Sequence, residues 1–125
     1  MHWMGWLVGL SALVGGQGPA SCERAATNAA RERCLGQLLR IEETRLTSIE
    51  ARGRATLGDS ARIAFDAAKH AWSQYVKREC SAVYSYFASG SMASIQFLEC
   101  HIRLIRDRRL LLSDIWGPEF SADST

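Results

Sequence analysis

The sequence predicts an all-α fold, a three-helix up-down-up antiparallel bundle with two disulfides. Three observations predict it. Between residues 28 and 116 there is no proline, and glycine falls only at 36, 53, 58 and 90, which divides the chain into three long helical candidates. Each candidate carries apolar residues at three- and four-residue spacing, and no alternating strand pattern competes with it. Four cysteines, an even count in a short chain, supply two cross-links for a core that about 100 residues make only marginally large.

Residues 1–20 stand apart from the domain. The apolar run "WLVGLSALV", residues 6–14, is followed by "GGQGPAS", which reads as a secretory signal cleaved after Ala20, although "MHWMG" before it holds neither Lys nor Arg. Nine apolar residues are too few to span a bilayer, so no stable membrane span is expected after cleavage. Pro19 occupies the place where a lipoprotein signal puts a leucine-like residue before Cys22, which argues against lipidation.

The helical domain is expected over residues 21–116. Thr27 is a candidate N-cap for a first helix running to about Arg52, with Leu35, Leu39, Leu46 and Ile49 on one stripe. The segment "GRATLGDS" breaks it, and Asp59 or Ser60 caps a second helix whose stripe is Phe65, Ala68, Trp72, Val76 and Val83, with Tyr75 at the margin. A turn at "ASGSMAS" leads into a third helix from about Ser94 to Trp116, carrying Ile95, Leu98, Ile102, Ile105 and Leu112. Phe97, Leu104 and Leu111 widen that arc, as befits a helix packed on two neighbours. Residues 117–125, "GPEFSADST", read as a polar C-terminal tail.

Cys22, Cys34, Cys80 and Cys100 all follow the expected cleavage site, which points to disulfides in an oxidising compartment. Zinc is the rival, but the C-x2-C spacing of thiolate zinc sites is missing. In an up-down-up bundle Cys80 and Cys100 flank the same turn and can meet. Cys22 and Cys34 would be about 18 Å apart in one continuous helix, so residues 22–27 must fold back if they pair. Cys22 with Cys34 and Cys80 with Cys100 is the favoured pairing, and the crossed pairings stay open.

The net charge of +2 is unchanged by removing residues 1–20 and is too small to indicate a nucleic-acid partner. The basic stretch "RLIRDRR", residues 103–109, reads as a solvated helix end, where cations are favoured.

The cysteine and aromatic layout resembles the lysozyme inhibitor LprI family. Cys22 and Cys34 match its first cysteine pair, and Glu43 with Leu46 matches its acidic-plus-leucine element. "AKHAWSQYVKREC" matches its aromatic segment through Ala68, Ala71, Trp72, Tyr75 and Cys80; Gly90 and Ser91 match its turn, and Cys100, Arg106 and Arg108 its last element. The chain departs from the pattern at Thr47 for Asn, Lys69 for Gln, and Val76 and Lys77 for Arg-Asp. The resemblance implies an exported helical domain of the bacterial envelope, periplasmic or secreted, and for some members inhibition of lysozyme.

Helical-wheel reading places Glu42, Glu79, His101 and Arg108 on apolar arcs, where charges need partners. The expected pairs are Glu42 with Arg108, Glu43 being the alternative carboxylate, and Glu79 with His101. Neither pair has a nucleophile, metal triad or phosphate loop nearby in the pattern, so a structural role and a non-enzymatic protein are expected, with no cofactor. The turn carrying Tyr86, Phe87, Ser89, Gly90 and Ser91 is the candidate partner-binding element. Glu42, Glu43 and Glu50 are a second candidate, as an acidic surface for a basic enzyme such as lysozyme. The leading function is a protein-binding module of the envelope; the alternative is a structural or assembly protein without inhibitory activity.

Overall fold

A computed structural model of the chain describes residues 19–88 and 90–121. The expected signal segment lies outside the described residues up to position 18, as do Ser89 and the last four residues of the expected tail. A short turn of helix, α1 (Pro19–Cys22), precedes three long helices, α2 (Asn28–Ala55), α3 (Asp59–Tyr86) and α4 (Ala93–Leu111). The chain continues as a π-helical turn over Leu112–Trp116 and a 3-10 turn over Pro118–Phe120.

Local chemistry sets the ends. Thr27 caps α2, its hydroxyl accepting from the Ala30 amide at 3.1 Å. Gly58, rather than Asp59 or Ser60, is the residue preceding α3, and Asp59 stands in its first turn, where a carboxylate suits the helix dipole. The expected third helix ends its regular α geometry at Leu111, five residues short of Trp116.

The bundle is antiparallel, with α4 packed on both α2 and α3, while α2 and α3 approach each other at few points. This asymmetry follows from the stripes: α4 has the wide apolar arc and α3 a narrow one, burying only Phe65, Val76 and Cys80. The core has two parts. Leu46, Ile49, Phe65, Ile105, Leu112 and Phe120 form one, and Cys22, Leu35, Leu38, Ile95 and Ile102 the other. Glu42, 2% exposed, lies on α2 between the leucines of the two parts.

Both disulfides form as favoured, Cys22–Cys34 and Cys80–Cys100, each with Cα atoms 5.6 Å apart. The fold-back of residues 22–27 is a turn in which the Ala25 amide donates to the Cys22 carbonyl. With all four sulfurs oxidised, the zinc alternative has no thiolates left to use.

The expectation of a polar tail at 117–125 is overturned over 117–121. Gly117, at φ 112°, reverses the chain in a conformation that favours glycine, and Phe120 returns to the core at 1% exposure. Its ring packs 5.2 Å from Phe65 and 5.6 Å from Trp116. Gly53 makes the room: a Cβ there would fall 2.5 Å from Phe120 Cγ.

Candidate functional site

The end of the bundle opposite Gly53 is braced three times. Cys80–Cys100 ties α3 to α4, Cys22–Cys34 ties the leading turn to α2, and Asn28 Nδ2 donates to Ser91 Oγ at 3.3 Å, joining the start of α2 to the α3–α4 turn. Arg31 adds an ion pair to Glu99 at 2.7 Å. From this end projects Tyr86, 82% exposed, its ring edge-on to Phe87 with centroids 4.8 Å apart. Gly90 and Ser91 are exposed beside it, so the structure brings together the described members of the expected binding turn. Next to the turn, Tyr84 and Phe97 are in edge contact at 6.1 Å over a shallow depression of about 460 Å³.

A groove runs between α2 and α3, where these helices do not pack. Its α2 wall is Glu43, Leu46, Thr47 and Glu50; its α3 wall is Lys69, Trp72, Ser73, Val76 and Lys77; His101 and Ile105 of α4 form the floor. Three residues that matched the family pattern, Glu43, Leu46 and Trp72, therefore meet here, and so do all four departures from it, Thr47, Lys69, Val76 and Lys77.

The expected polar pairs are rearranged. Arg108 pairs with Glu50, Nη2 to Oε2 at 3.9 Å, and its guanidinium lies 5.6 Å from the Trp72 ring and 5.9 Å from that of Phe65. Glu42 instead meets Arg109 at 3.3 Å and Arg106 and Arg45 at 3.5 Å. Glu42 and Arg108 are buried as expected but take other partners: Glu42 meets Arg109, the next residue, and Arg108 meets Glu50, two turns along α2, because a wheel does not say which of two adjacent long side chains reaches a given carboxylate. Glu79 does not pair with His101: it is exposed, since the narrow buried stripe of α3 leaves it on the solvent side. His101 faces Glu43 and packs at a tilt against Phe97, with centroids 4.6 Å apart. Of the remaining motif residues, Trp72 and Arg106 are half-buried, while Ala68, Ala71 and Tyr75 lie on the exposed outer face of α3 rather than in the core. The basic stretch is no solvated end, since Arg106, Arg108 and Arg109 turn inward to carboxylates. With Glu42 and Glu50 buried, the acidic surface is not formed either.

Burial sets the titration of these groups. It raises the Glu50 carboxyl above its ordinary 4.5, against the pull of Lys69 and Arg108. It lowers His101 below 6.5, against Glu43, and lowers Arg108, against Glu50. Glu50 Oε2 and His101 Nε2 are buried without a hydrogen-bond partner among the described residues. Sequence reading missed Glu50 as a buried group, though its position four residues after Leu46 and one after Ile49 already placed it beside the apolar stripe. No helix among the described residues is long and apolar enough to cross a membrane.

No match to the chain is found among curated proteins or among solved structures. The family model described as lysozyme inhibitor LprI matches residues 22–112, from the first disulfide cysteine to the last core leucine of the bundle. The span holds both disulfides, the projecting turn and the groove, and on this match the chain belongs to the lysozyme inhibitor LprI family.

Proposed function

We propose that this chain is an exported, non-enzymatic lysozyme inhibitor of the bacterial envelope, released into the periplasm or beyond by removal of residues 1–20. Its inhibitory element is the α3–α4 turn. Family membership and two disulfides support an exported inhibitor. The observation that carries the choice of element is Tyr86: a large aromatic at 82% exposure, on the end of the bundle that both disulfides brace.

Lysozyme holds its substrate in an open cleft between two carboxyl groups that flank the scissile glycosidic bond. An inhibitor that fills such a cleft needs a narrow projection with flat apolar surface and hydrogen-bonding tips. Tyr86, Phe87 and Ser91 offer rings and hydroxyls, and no charged side chain lies between Glu79 and Glu99 to be desolvated on entry. The bracing lowers the entropy lost on binding, since the elements on both sides of the turn are already tied together.

The test is a muramidase titration with oxidised protein starting at Ser21. Inhibition should saturate, and Tyr86→Ala should weaken it at least about 30-fold, the equivalent of an anchor of about 2 kcal/mol, without changing helicity or the denaturation midpoint. An unchanged lysozyme rate at high molar excess removes the inhibitory function. Full inhibition by Tyr86→Ala removes the turn as its element.

A further inference from the structure

The α2–α3 groove is not used by the turn and has its own chemistry. Around the short connection at 56–58 the helices fold back on each other: Arg54 meets Asp66, Lys69 acts on Glu50, and counting outward from these the antiparallel order brings Thr47 towards Ser73 and Glu43 towards Lys77, all lining the same groove. At the closed end the register is satisfied directly, Arg54 holding both oxygens of Asp66 at 2.8 Å. Farther up, the same alternation of sign continues but the walls stand apart. Neither Glu50 with Lys69 nor Glu43 with Lys77 closes to an ion pair among the described residues, although each cation lies opposite a carboxylate in the same groove.

Between these walls is an apolar strip of Leu46, Trp72, Val76 and Ile105. Behind it Glu50 is 3% exposed, with one oxygen lacking any hydrogen bond. That oxygen faces Arg108 Nη2 at 3.9 Å, too long for a hydrogen bond, so an incoming ammonium or N–H group would supply the short contact it lacks. The volume, about 250 Å³, lies just below the ~300–1,000 Å³ range of drug-sized ligand pockets. That size suits a small ligand rather than a helix or loop of a protein.

We infer that the α2–α3 groove is a binding site for a small zwitterion of the short-peptide class, with its ammonium on Glu43 and Glu50, its carboxylate on Lys69 and Lys77, and its apolar body on Trp72. A neutral ligand would leave the two walls unanswered. A purely cationic or purely anionic one would be attracted by one wall and repelled by the other. The zwitterion completes across the gap the pairing that Arg54 and Asp66 make directly.

The experiment is an amide-shift titration of the oxidised chain starting at Ser21 with the dipeptide alanyl-leucine, its N-acetyl form, its C-terminal amide, and N-acetylglucosamine trimer. Saturable shifts at Thr47, Ser73 and the Trp72 indole are expected with alanyl-leucine. Each blocked form should bind about tenfold or more weakly, since each loses a charge-assisted contact. Lys77→Ala, an exposed position whose loss leaves the fold intact, should weaken alanyl-leucine while hardly affecting the amide, because both changes remove one contact. Glu43→Gln should do the same for the N-acetyl form. Tyr86→Ala should leave the titration unchanged, which separates this site from the inhibitory turn. The inference is overturned by the lack of saturable shifts, by blocked peptides binding as tightly as the free one, or by the sugar trimer moving these signals where the dipeptide does not.

Discussion

Replacing Gly53 with alanine should invert the sign that this substitution normally has in a helix. Gly53 is two residues from the end of α2, and in a solvent-facing helix interior the change would stabilise by about 1 kcal/mol. Here the added Cβ would stand 2.5 Å from Phe120 Cγ, inside any real carbon–carbon contact, and the neighbouring ring atoms are no farther away. The helix backbone cannot yield, so the ring must leave. Phe120 is 1% exposed and touches Phe65 and Trp116, and removing such a ring costs about 3 kcal/mol at the low end of phenylalanine truncations. Because Gly117 separates the turn that carries Phe120 from the bundle helices, that turn can undock without disturbing α2, and the cost is limited to that docking. Set against the propensity gain, Gly53→Ala should destabilise by about 2 kcal/mol. Urea denaturation followed by far-ultraviolet circular dichroism gives the value, and Trp116 emission should move to longer wavelength as its neighbour departs. In a Phe120→Ala background the same substitution should stabilise by about 1 kcal/mol, giving a coupling near 3 kcal/mol. A Gly53→Ala variant more stable than its parent would refute the docking of Phe120 on α2.

Other perturbations test other parts of the fold. Replacing Cys80 and Cys100 by serine opens a loop of 20 residues and should cost about 3 kcal/mol in the chain-entropy description, read as a lower urea midpoint; an unchanged midpoint would mean the bridge braces nothing. Glu42→Ala leaves Arg106 and Arg109 without their buried carboxylate and should destabilise by about 2–3 kcal/mol, the half-exposed arginines recovering part of the loss from water; a change under about 0.5 kcal/mol would show that the polar layer contributes nothing. Burial lowers the folded His101 pKa below its unfolded value, so the unfolded chain binds the extra proton; stability is unaffected well above pH 6.5 and declines as the pH falls from there towards the lower folded value. His101→Phe should remove that part of the acid-side decline while keeping the contact with Phe97, and an identical pH profile would contradict the assignment.

Much of this protein was readable from residue order. Helix number and type follow from the spacing of apolar residues and from where glycine and proline fall, because both act within a few residues along the chain. Thr27 at the start of α2 and the pairing of Cys80 with Cys100 across one turn are of the same kind. The family pattern was legible too, since a tryptophan at a fixed distance from a cysteine is a one-dimensional signal. The site was legible only in part. Tyr86 could be placed beside the α3–α4 turn, and its exposure follows from its position as the last residue of α3.

What tertiary structure decided is the set of contacts that depend on stagger and separation between helices. Glu42 and Arg108 are both interior charges, yet their partners are Arg109 and Glu50, because a wheel does not say which of two adjacent arginines reaches which carboxylate across the packed helices. Glu79 went to solvent and the α2–α3 groove opened for one reason: along most of its length α3 packs on α4 and meets α2 at few points. Phe120 shows the same limit at the chain end. A single aromatic among polar residues has no periodicity to announce it, and its place in the core exists only because Gly53, 67 positions earlier, leaves a gap the width of a methyl group. Local chemistry determined which helices form, and the packing of one helix on two others determined which side chains meet.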